Sequence, residues 1–183
     1  CRVKDHPKGT EDMLLWYGEV DGVRQVAEGL WQGDIHDLNS LKDEKVREHY
    51  GFKLAVNVGS TNWVPRGIPS FHVPMWDEVG EDDPERVKND WLMLIDVAII
   101  VVAALVRGGR VLVVCDAGLS RSVVFCGMVL SLQNSEQPMN DELMYALRDA
   151  EQGPSPQLWK DAARAVDVFW DGVLKAIDMA GVR

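Results

Sequence analysis

The stretch Val111-Leu-Val-Val-Cys-Asp-Ala-Gly-Leu-Ser-Arg-Ser122 decides the fold. Its first four residues are apolar and mostly β-branched, which predicts a buried strand. The run from Ser122 to about Gln133 predicts a helix. Between the strand and the helix lie Cys115 and Arg121, separated by a five-residue loop. The stretch therefore predicts a strand–loop–helix unit that carries a cysteine at its start and an arginine at its end.

A loop of this kind favours the binding of an anion. It turns backbone N–H groups towards one point, beside the positive end of the following helix. Arg121 adds a planar, two-pronged donor suited to phosphate, and the same positive field favours the thiolate form of Cys115. The sequence thus predicts a nucleophilic sulfur beneath a phosphate site. The candidate phosphate-binding residues are Asp116, Ala117, Gly118, Leu119, Ser120 and Arg121.

The loop resembles that of the cysteine-based protein tyrosine phosphatase superfamily. Cys115, Gly118, Arg121 and Ser122 match its Cys-x-x-Gly-x-x-Arg-Ser/Thr pattern, and the Ala-Gly-x-Ser-Arg-Ser form of residues 117–122 is most similar to the dual-specificity branch. The alternative interpretation is a buried core cysteine beside an unrelated surface arginine.

Four further segments extend the resemblance over roughly residues 20–170. They are Glu28-Gly-Leu-Trp-Gln-Gly33, Ala55-Val-Asn-Val58, Phe71-His-Val-Pro-Met-Trp-Asp77 and the region from Ala146 to Leu158. The resemblance implies a three-layer α/β/α fold around a central sheet of four or five mostly parallel strands. We expect residues 1–12 to be a mobile lead-in and residues 13–183 to form one catalytic domain.

The pattern also predicts individual elements. Val23–Trp31 and Phe52–Val58 are predicted strands, the former followed by a turn at residues 32–34. One helix is predicted up to Tyr50, capped by Asp37 or Asn39. The helix Trp91–Arg107 is apolar almost all round, which predicts that it is buried. The remaining predictions are a strand at residues 71–73, a helix at residues 141–152, and a long amphipathic helix or helix pair at residues 158–180.

The resemblance implies a two-step reaction. Cys115 attacks phosphorus while an acid protonates the leaving oxygen, and water then hydrolyses the phosphocysteine. The loop amides and Arg121 hold the charge of the transition state. Ser122 helps the cysteine leave in the second step, although a simple helix N-cap is its other interpretation. Gly118 is expected to serve backbone geometry, because a side chain there could block phosphate.

The general acid must come from outside the loop. Asp77 is the candidate, because it follows Pro74 by three residues, as in the family, at the start of an acidic segment. An ordinary loop aspartate is the alternative, and the competing acids are Glu78, Asp82 and Asp83. Trp76 is interpreted either as a lid residue or as a hydrophobic anchor.

One position departs from the family pattern. The family usually has His directly before the cysteine, where this chain has Val114. Because that His steadies the loop and the thiolate, we expect the acid limb of the pH–rate profile to lie higher than is usual, and Val114→His to move it down. Asp116 places a carboxylate beside a phosphate site, and we expect its side chain to point outward.

Composition narrows the function. The chain has 183 residues, 46% hydrophobic and 26% charged, with a formal net charge of −10. This acidity argues against nucleic acid or an anionic membrane as the main partner, and it is compatible with basic or neutral phosphoproteins. The longest apolar run, Val97 to Val106, is too short to span a bilayer, and no signal peptide is recognised.

The cysteines argue against a disulfide framework and against zinc. There are three of them, Cys1, Cys115 and Cys126, with no Cys-x-x-Cys pair, and the four histidines lack metal-ligand spacing. We therefore predict no metal and no cofactor. A catalytic thiolate needs a reducing compartment, which indicates the cytoplasm. Cys126 is expected to be a core cysteine, the alternative being a trap for oxidised Cys115.

The sequence thus predicts a dual-specificity-like phosphatase acting on phosphotyrosine and phosphoserine or phosphothreonine. Alternatives are a phosphatase of a sugar, lipid or RNA 5′-phosphate, and an inactive phosphopeptide-binding module. The loop lacks the lysines of lipid-directed members, and it has Ser-Arg-Ser where RNA triphosphatases typically have Asn-Arg-Thr. Low-molecular-weight tyrosine phosphatases and arsenate reductases place the loop near the N-terminus, before the acid. The substrate and the oligomeric state are left open.

Overall fold

The computed structural model describes residues 23–75, 84–134, 138–147 and 156–179. The strands are β1 (Arg24–Ala27), β2 (Leu30–Asp34), β3 (Leu54–Asn57), β4 (Ser70–His72) and β5 (Val111–Cys115). The helices are α1 (Ile35–Ser40), α2 (Glu44–Tyr50), α3 (Pro84–Val106), α4 (Arg121–Gln133), α5 (Asp141–Leu147) and α6 (Pro156–Met179).

The strands form one five-stranded sheet in the order β1-β2-β5-β3-β4. β1 pairs antiparallel with β2, and every other pair is parallel. The central strand β5 lies between β2 and β3, with Val111 opposite both Leu30 and Leu54. The predicted mostly parallel sheet is therefore confirmed. The carboxyl ends of β2, β5 and β3 lie along one side of the sheet. Ligands bind at this side in open α/β sheets.

Helices cover both faces of the sheet, and β5 is therefore buried on both sides. Val111, Val113 and Cys115 face the larger core, which includes side chains of α3, α4, α5 and α6. Leu112 and Val114 face a second core with side chains of α1 and α2. A strand buried on both faces has a continuous apolar sequence, as this one does. The predicted three layers are confirmed.

The first predicted strand was placed wrongly. The chain turns at Glu28 and Gly29, and Gln32-Gly-Asp34 belongs to β2 instead of forming a turn. Gly29 has φ +73°, in the left-handed region that glycine adopts readily. Gln32 pairs with Val113 of β5. Turn-forming residue types were therefore overridden by pairing with a strand far along the chain.

The single helix predicted up to Tyr50 is two short helices. Asp34 caps α1 through bonds from the N–H groups of His36 and Asp37. Asp37 is not a cap; its carboxylate accepts the N–H of Asp34 in a reciprocal capping box. Asp43 caps α2 by accepting the N–H of Lys45 at 2.8 Å. The second cap begins a new helix and thereby ends the continuous one expected.

Helix α3 begins earlier than predicted, at Pro84, and it is not buried all round. Pro84 suits a first helical position, since its missing N–H has no partner there. One side of the helix packs in the core, while Leu92 and Met93 are each 51% exposed and Val106 is 73% exposed. Among the helices of the described ranges, none combines the length and apolarity that crossing a membrane requires.

Several predictions lie outside the described residues. They concern the lead-in at residues 1–12, Cys1, the acidic segment with Trp76, Asp77, Glu78, Asp82 and Asp83, and the predicted helix beyond Leu147.

Candidate active site

Cys115 is the last residue of β5, at the side of the sheet where the carboxyl ends of the parallel strands lie. Its side chain is 2% exposed, and its Sγ lies 3.3 Å from Oγ of Ser122. Ser122 is fully buried in the first turn of α4. The loop of residues 116–120 thus returns the chain over the sulfur, so that β5 and α4 place a thiol and a hydroxyl in contact.

Gly118 shapes this loop. It has φ +67°, and a Cβ atom added to it would lie 3.1 Å from the backbone carbonyl of Gly33 and 3.2 Å from Cβ of Asp34. The loop therefore packs directly on the end of β2, where a side chain would be crowded and the backbone conformation strained. Ala117 and Leu119 are exposed. The side chain of Ser120, the residue before α4, makes no capping hydrogen bond to the helix, so its hydroxyl does not occupy the N–H groups of the first turn.

Arg121 lies at the start of α4 and is 9% exposed. Its Nη1 donates to Oγ of Ser60 at 2.7 Å, and its Nη2 donates to a carboxylate oxygen of Asp116 at 2.5 Å. The guanidinium is therefore fixed by two polar partners at the rim of the loop. Charge-assisted bonds of this kind are among the stronger hydrogen bonds in proteins.

Asp116 does not point outward as expected. Its carboxylate also accepts the backbone N–H groups of Ser60 at 2.9 Å and Thr61 at 3.2 Å. Partial burial alone would raise the pKa of Asp116, but the hydrogen bonds from Ser60 and Thr61 and the charge of Arg121 outweigh it and hold the pKa well below the usual range. Asp116 is thus a stable anion that joins the loop to the segment after β3.

Two residues outside the predicted site hold that segment. Asn57, at the end of β3, donates to the carbonyls of Thr61 at 2.7 Å and Trp63 at 2.9 Å, and its own oxygen accepts the N–H of Gly59. Nε2 of His72 lies 3.0 Å from the carbonyl oxygen of Gly59. A buried asparagine at the end of an apolar strand was the available signal for this role.

Gln32 is a third residue without an assigned role. It is 3% exposed on β2. Its Nε2 donates to the carbonyl oxygen of Gly118 at 2.5 Å and to Oγ of Ser122 at 3.2 Å, while its Oε1 accepts from Arg24. Because residues 32–34 were predicted to form a turn, a buried side chain was not expected at this position.

Val114 and Cys126 are enclosed by apolar side chains. Val114 is fully buried in the second core, on the face of the sheet opposite Cys115. Cys126 is fully buried in the larger core, and burial raises the pKa of its thiol well above the ordinary value. In the part of the chain that the structure describes, no cluster of three or more His, Cys, Asp and Glu residues could hold a metal ion.

The structure therefore brings Cys115, the loop from Asp116 to Ser120, Arg121 and Ser122 together at one point. Asp77, the predicted acid, lies outside the described residues. The arrangement combines a buried thiol, a hydroxyl in contact with it, a guanidinium and the beginning of a helix. Chemically, it can hold an oxyanion against a sulfur nucleophile.

Known proteins resemble this chain in fold and not in overall sequence. No family model matches the chain, and no curated protein matches it. Among solved structures, human DUSP28 superposes with a TM-score of 0.63 at 21% identity, over 83% of this chain and 97% of that one. A mouse protein described as a dual specificity phosphatase, complexed with zinc tungstate, gives 0.66 at 21% identity over 86% and 94%.

A third structure of the same fold is the human tyrosine phosphatase-like serine/threonine/tyrosine-interacting protein. Its TM-score is 0.60 at 16% identity, over 84% of this chain and 98% of that one. These structures share the mostly parallel sheet flanked by helices that this chain forms. The chain therefore has the fold of the dual-specificity phosphatases.

Proposed function

We propose that this chain is a cysteine-dependent phosphatase that hydrolyses phosphotyrosine and phosphoserine or phosphothreonine in proteins through a phosphocysteine intermediate. The observation that carries the proposal is the arrangement at the end of β5: Sγ of Cys115 lies 3.3 Å from Oγ of Ser122, under a loop that ends at Arg121. The fold shared with dual-specificity phosphatases supports it. Tungstate, present in the mouse structure, is a tetrahedral oxyanion like phosphate.

The proposed first step transfers the phosphoryl group to sulfur. The thiolate of Cys115 attacks phosphorus, the bond from phosphorus to the leaving oxygen breaks, and Asp77 donates a proton to that oxygen. The backbone N–H groups of the loop and the guanidinium of Arg121 stabilise charge on the phosphoryl oxygens.

The second step regenerates the enzyme. Asp77, now a carboxylate, removes a proton from water as the water oxygen attacks phosphorus. The bond from sulfur to phosphorus breaks, phosphate is released, and Cys115 leaves as a thiolate that accepts a hydrogen bond from Ser122. No cofactor takes part. A free thiolate requires a reducing compartment, so we place the enzyme in the cytoplasm.

A phosphopeptide-binding module is the competing function. Two observations favour it: Arg121 already binds a carboxylate within its own loop, and Val114 supplies no polar group beside the sulfur. Against it stand the contact between Cys115 and Ser122 and the burial of both side chains. Binding alone needs no hydroxyl in contact with the sulfur.

Hydrolysis assays separate the two. We expect the wild-type chain to hydrolyse p-nitrophenyl phosphate and phosphotyrosine and phosphothreonine peptides, and Cys115→Ser to abolish this while still binding the peptides. Cys126→Ala is the matched control, since that thiol is sealed in the core, and it should retain activity. Micromolar peptide binding by a wild-type chain without hydrolysis would establish the binding module. Phosphoinositides, phosphosugars and triphosphate RNA in the same panel test the other substrate classes.

A further inference from the structure

A chain of hydrogen-bonded side chains runs from the edge strand β1 to the sulfur of Cys115. Nε and Nη2 of Arg24, on the edge strand β1, donate to Oε1 of Gln32 at 3.1 and 2.9 Å. Nε2 of Gln32 donates to Oγ of Ser122 at 3.2 Å, and that oxygen lies 3.3 Å from Sγ of Cys115. The side chains of β1, β2, α4 and β5 that make these contacts therefore form one continuous chain of hydrogen bonds.

The direction of these hydrogen bonds is set by chemistry at both ends of the Gln32 amide. A guanidinium can only donate, so Arg24 holds the oxygen of the amide. A backbone carbonyl can only accept, so the carbonyl of Gly118, 2.5 Å from Nε2, holds the NH₂ group. Two independent partners thus fix the same orientation, and the NH₂ group faces Ser122.

This orientation determines what the hydroxyl of Ser122 can do. Its oxygen accepts a hydrogen bond from Gln32 and carries a single proton of its own. Ser122 is fully buried and Gln32 is 3% exposed, so bulk water does not compete for the hydroxyl. In the thiol form, the S–H group of Cys115 donates to the same oxygen. A thiolate has no proton to donate, so the hydroxyl proton of Ser122 then becomes the donor in this contact.

We propose that Gln32, oriented by Arg24, is a positioning residue that aims the hydroxyl proton of Ser122 at the sulfur of Cys115 and thereby speeds the release of that sulfur from the phosphocysteine. The inference rests on the proposed function. In the step concerned, water attacks phosphorus, the bond from sulfur to phosphorus breaks, and the electron pair returns to sulfur. The hydrogen bond from Ser122 stabilises the thiolate formed at that moment.

The same amide bonds the carbonyl of Gly118, so a purely structural role must be distinguished from a positioning role. If Gln32 only builds the loop, its loss weakens the binding of phosphate and slows both steps. If Gln32 acts through Ser122, its loss slows the second step specifically. With p-nitrophenyl phosphate the leaving group is good, so the first step is fast, kcat reports the second step, and kcat/KM reports the first.

The test uses Gln32→Leu, Ser122→Ala and the double variant in the full chain, with rapid-mixing measurement of p-nitrophenol release. We expect Gln32→Leu to lower kcat about 10-fold and kcat/KM by no more than about 3-fold, with a burst near one equivalent of p-nitrophenol. Ser122→Ala should do the same, and the double variant should be no slower than Ser122→Ala alone, because both remove one interaction. Gln133→Leu, on an exposed part of α4, is the matched control.

Arg24 supplies a second route to the test if Gln32→Leu does not fold. Arg24→Met removes the donors to Oε1 while keeping the alkyl stem, and we expect a smaller loss confined to kcat; Arg24→Lys, which retains a donor, should restore it. Arg107→Met, at an exposed position after α3, is the control. Equal losses in kcat and kcat/KM, or multiplying losses in the double variant, would overturn the inference. Absence of wild-type hydrolysis would instead overturn the proposed function, and the inference with it.

Discussion

The carboxylate of Asp116 lies 2.5 Å from Nη2 of Arg121, so the residue directly after the candidate nucleophile binds the guanidinium that is proposed to hold phosphate. The same carboxylate accepts two backbone N–H groups from residues 60 and 61. An incoming phosphate would therefore meet a guanidinium that is already paired, and a fixed negative charge beside it. This relationship leads to the first prediction.

Asp116→Asn should strengthen the binding of oxyanions. The amide oxygen can still accept a backbone N–H group, but the charge that competes for Arg121 and repels phosphate is gone. We expect inhibition by inorganic phosphate or vanadate to become about 10-fold tighter, the range of one charge-assisted hydrogen bond. Asp167→Asn, on an exposed part of α6, is the control. Weaker inhibition would mean that Asp116 holds Arg121 in its productive position.

Gly118→Ala should destabilise the protein and abolish phosphate binding. The left-handed conformation costs an L-residue about 1–2 kcal/mol, and the added Cβ would lie 3.1 Å from backbone atoms of Gly33, which cannot move without shifting β2. Gly172→Ala is the matched control, because that glycine lies in α6 with nothing within 4 Å of the added Cβ, and alanine favours a helix. Urea unfolding and hydrolysis assays measure both effects; equal stability of the two variants would contradict the prediction.

Asp37→Asn should remove a pH dependence of stability. Burial, assisted by the charge of Asp34, raises the pKa of Asp37 from 3.8 to about 6, against the hydrogen bond from the N–H of Asp34. The folded state therefore binds more protons than the unfolded state between these values, so this carboxyl lowers the free energy of unfolding as pH rises from about 4 to about 6. Relative to wild type, the variant should gain about 2–3 kcal/mol across that window.

The comparison for Asp37 is made by urea unfolding at pH 4 and pH 7. Subtracting the variant from the wild type cancels the other carboxyls, including Asp116, whose lowered pKa has the opposite effect below pH 4. A parallel pair of stability curves would show that the capping box tolerates the charge of Asp37 without cost.

Val114→His should cost stability, because the side chain is fully buried among apolar residues of α1, α2 and β3. Placing an imidazole there without an arranged partner costs about 1–3 kcal/mol. In the folded fraction we still expect the acid limb of the pH–rate profile to move down, as the resemblance to the family implies. Val114→Leu, which keeps the site apolar, separates a change of packing from a change of chemistry. If the acid limb of the pH–rate profile does not move in Val114→His, the expectation drawn from the resemblance is wrong.

Asp77→Asn should reveal the general acid through its dependence on the leaving group. Without the acid, turnover of alkyl and unactivated aryl phosphates should fall by about 10²–10⁴, and turnover of esters with good leaving groups much less, because these depart without a proton. Asp82→Asn and Asp83→Asn are the matched comparisons within the same acidic segment. Equal turnover by wild type and Asp77→Asn on an alkyl phosphate would place the acid elsewhere.

The parts of the fold that depend on neighbouring residues could be predicted from the sequence. β5 and α4 lie where the apolar runs indicated, because a doubly buried strand and the helix that follows it are encoded locally. Gln32 shows the limit. Its neighbours Gly33 and Asp34 favour a turn, yet β2 continues through all three because β5 pairs with it. That pairing joins residues about eighty positions apart, which no local pattern expresses.

Contacts within the loop motif could likewise be predicted from the sequence, whereas contacts from distant segments could not. The pattern brought Cys115, Arg121 and Ser122 together, since only seven positions of the chain separate Cys115 from Ser122. The partners from other segments, such as Ser60 on Arg121, were not predictable, because the spacing of residues within one motif carries no information about the loop after β3. The direction of the Asp116 side chain depends on that same loop.

The bond between Gln32 and Ser122 spans ninety positions of the chain. Contacts of such long range slow folding, because the entropy cost of closing a large loop must be met before they form. A fragment that starts beyond β2 would retain the entire Cys-x5-Arg motif without the amide that orients its serine. Under the proposed function, full turnover requires that β2 and α4 have come together, so turnover would measure correctly folded protein.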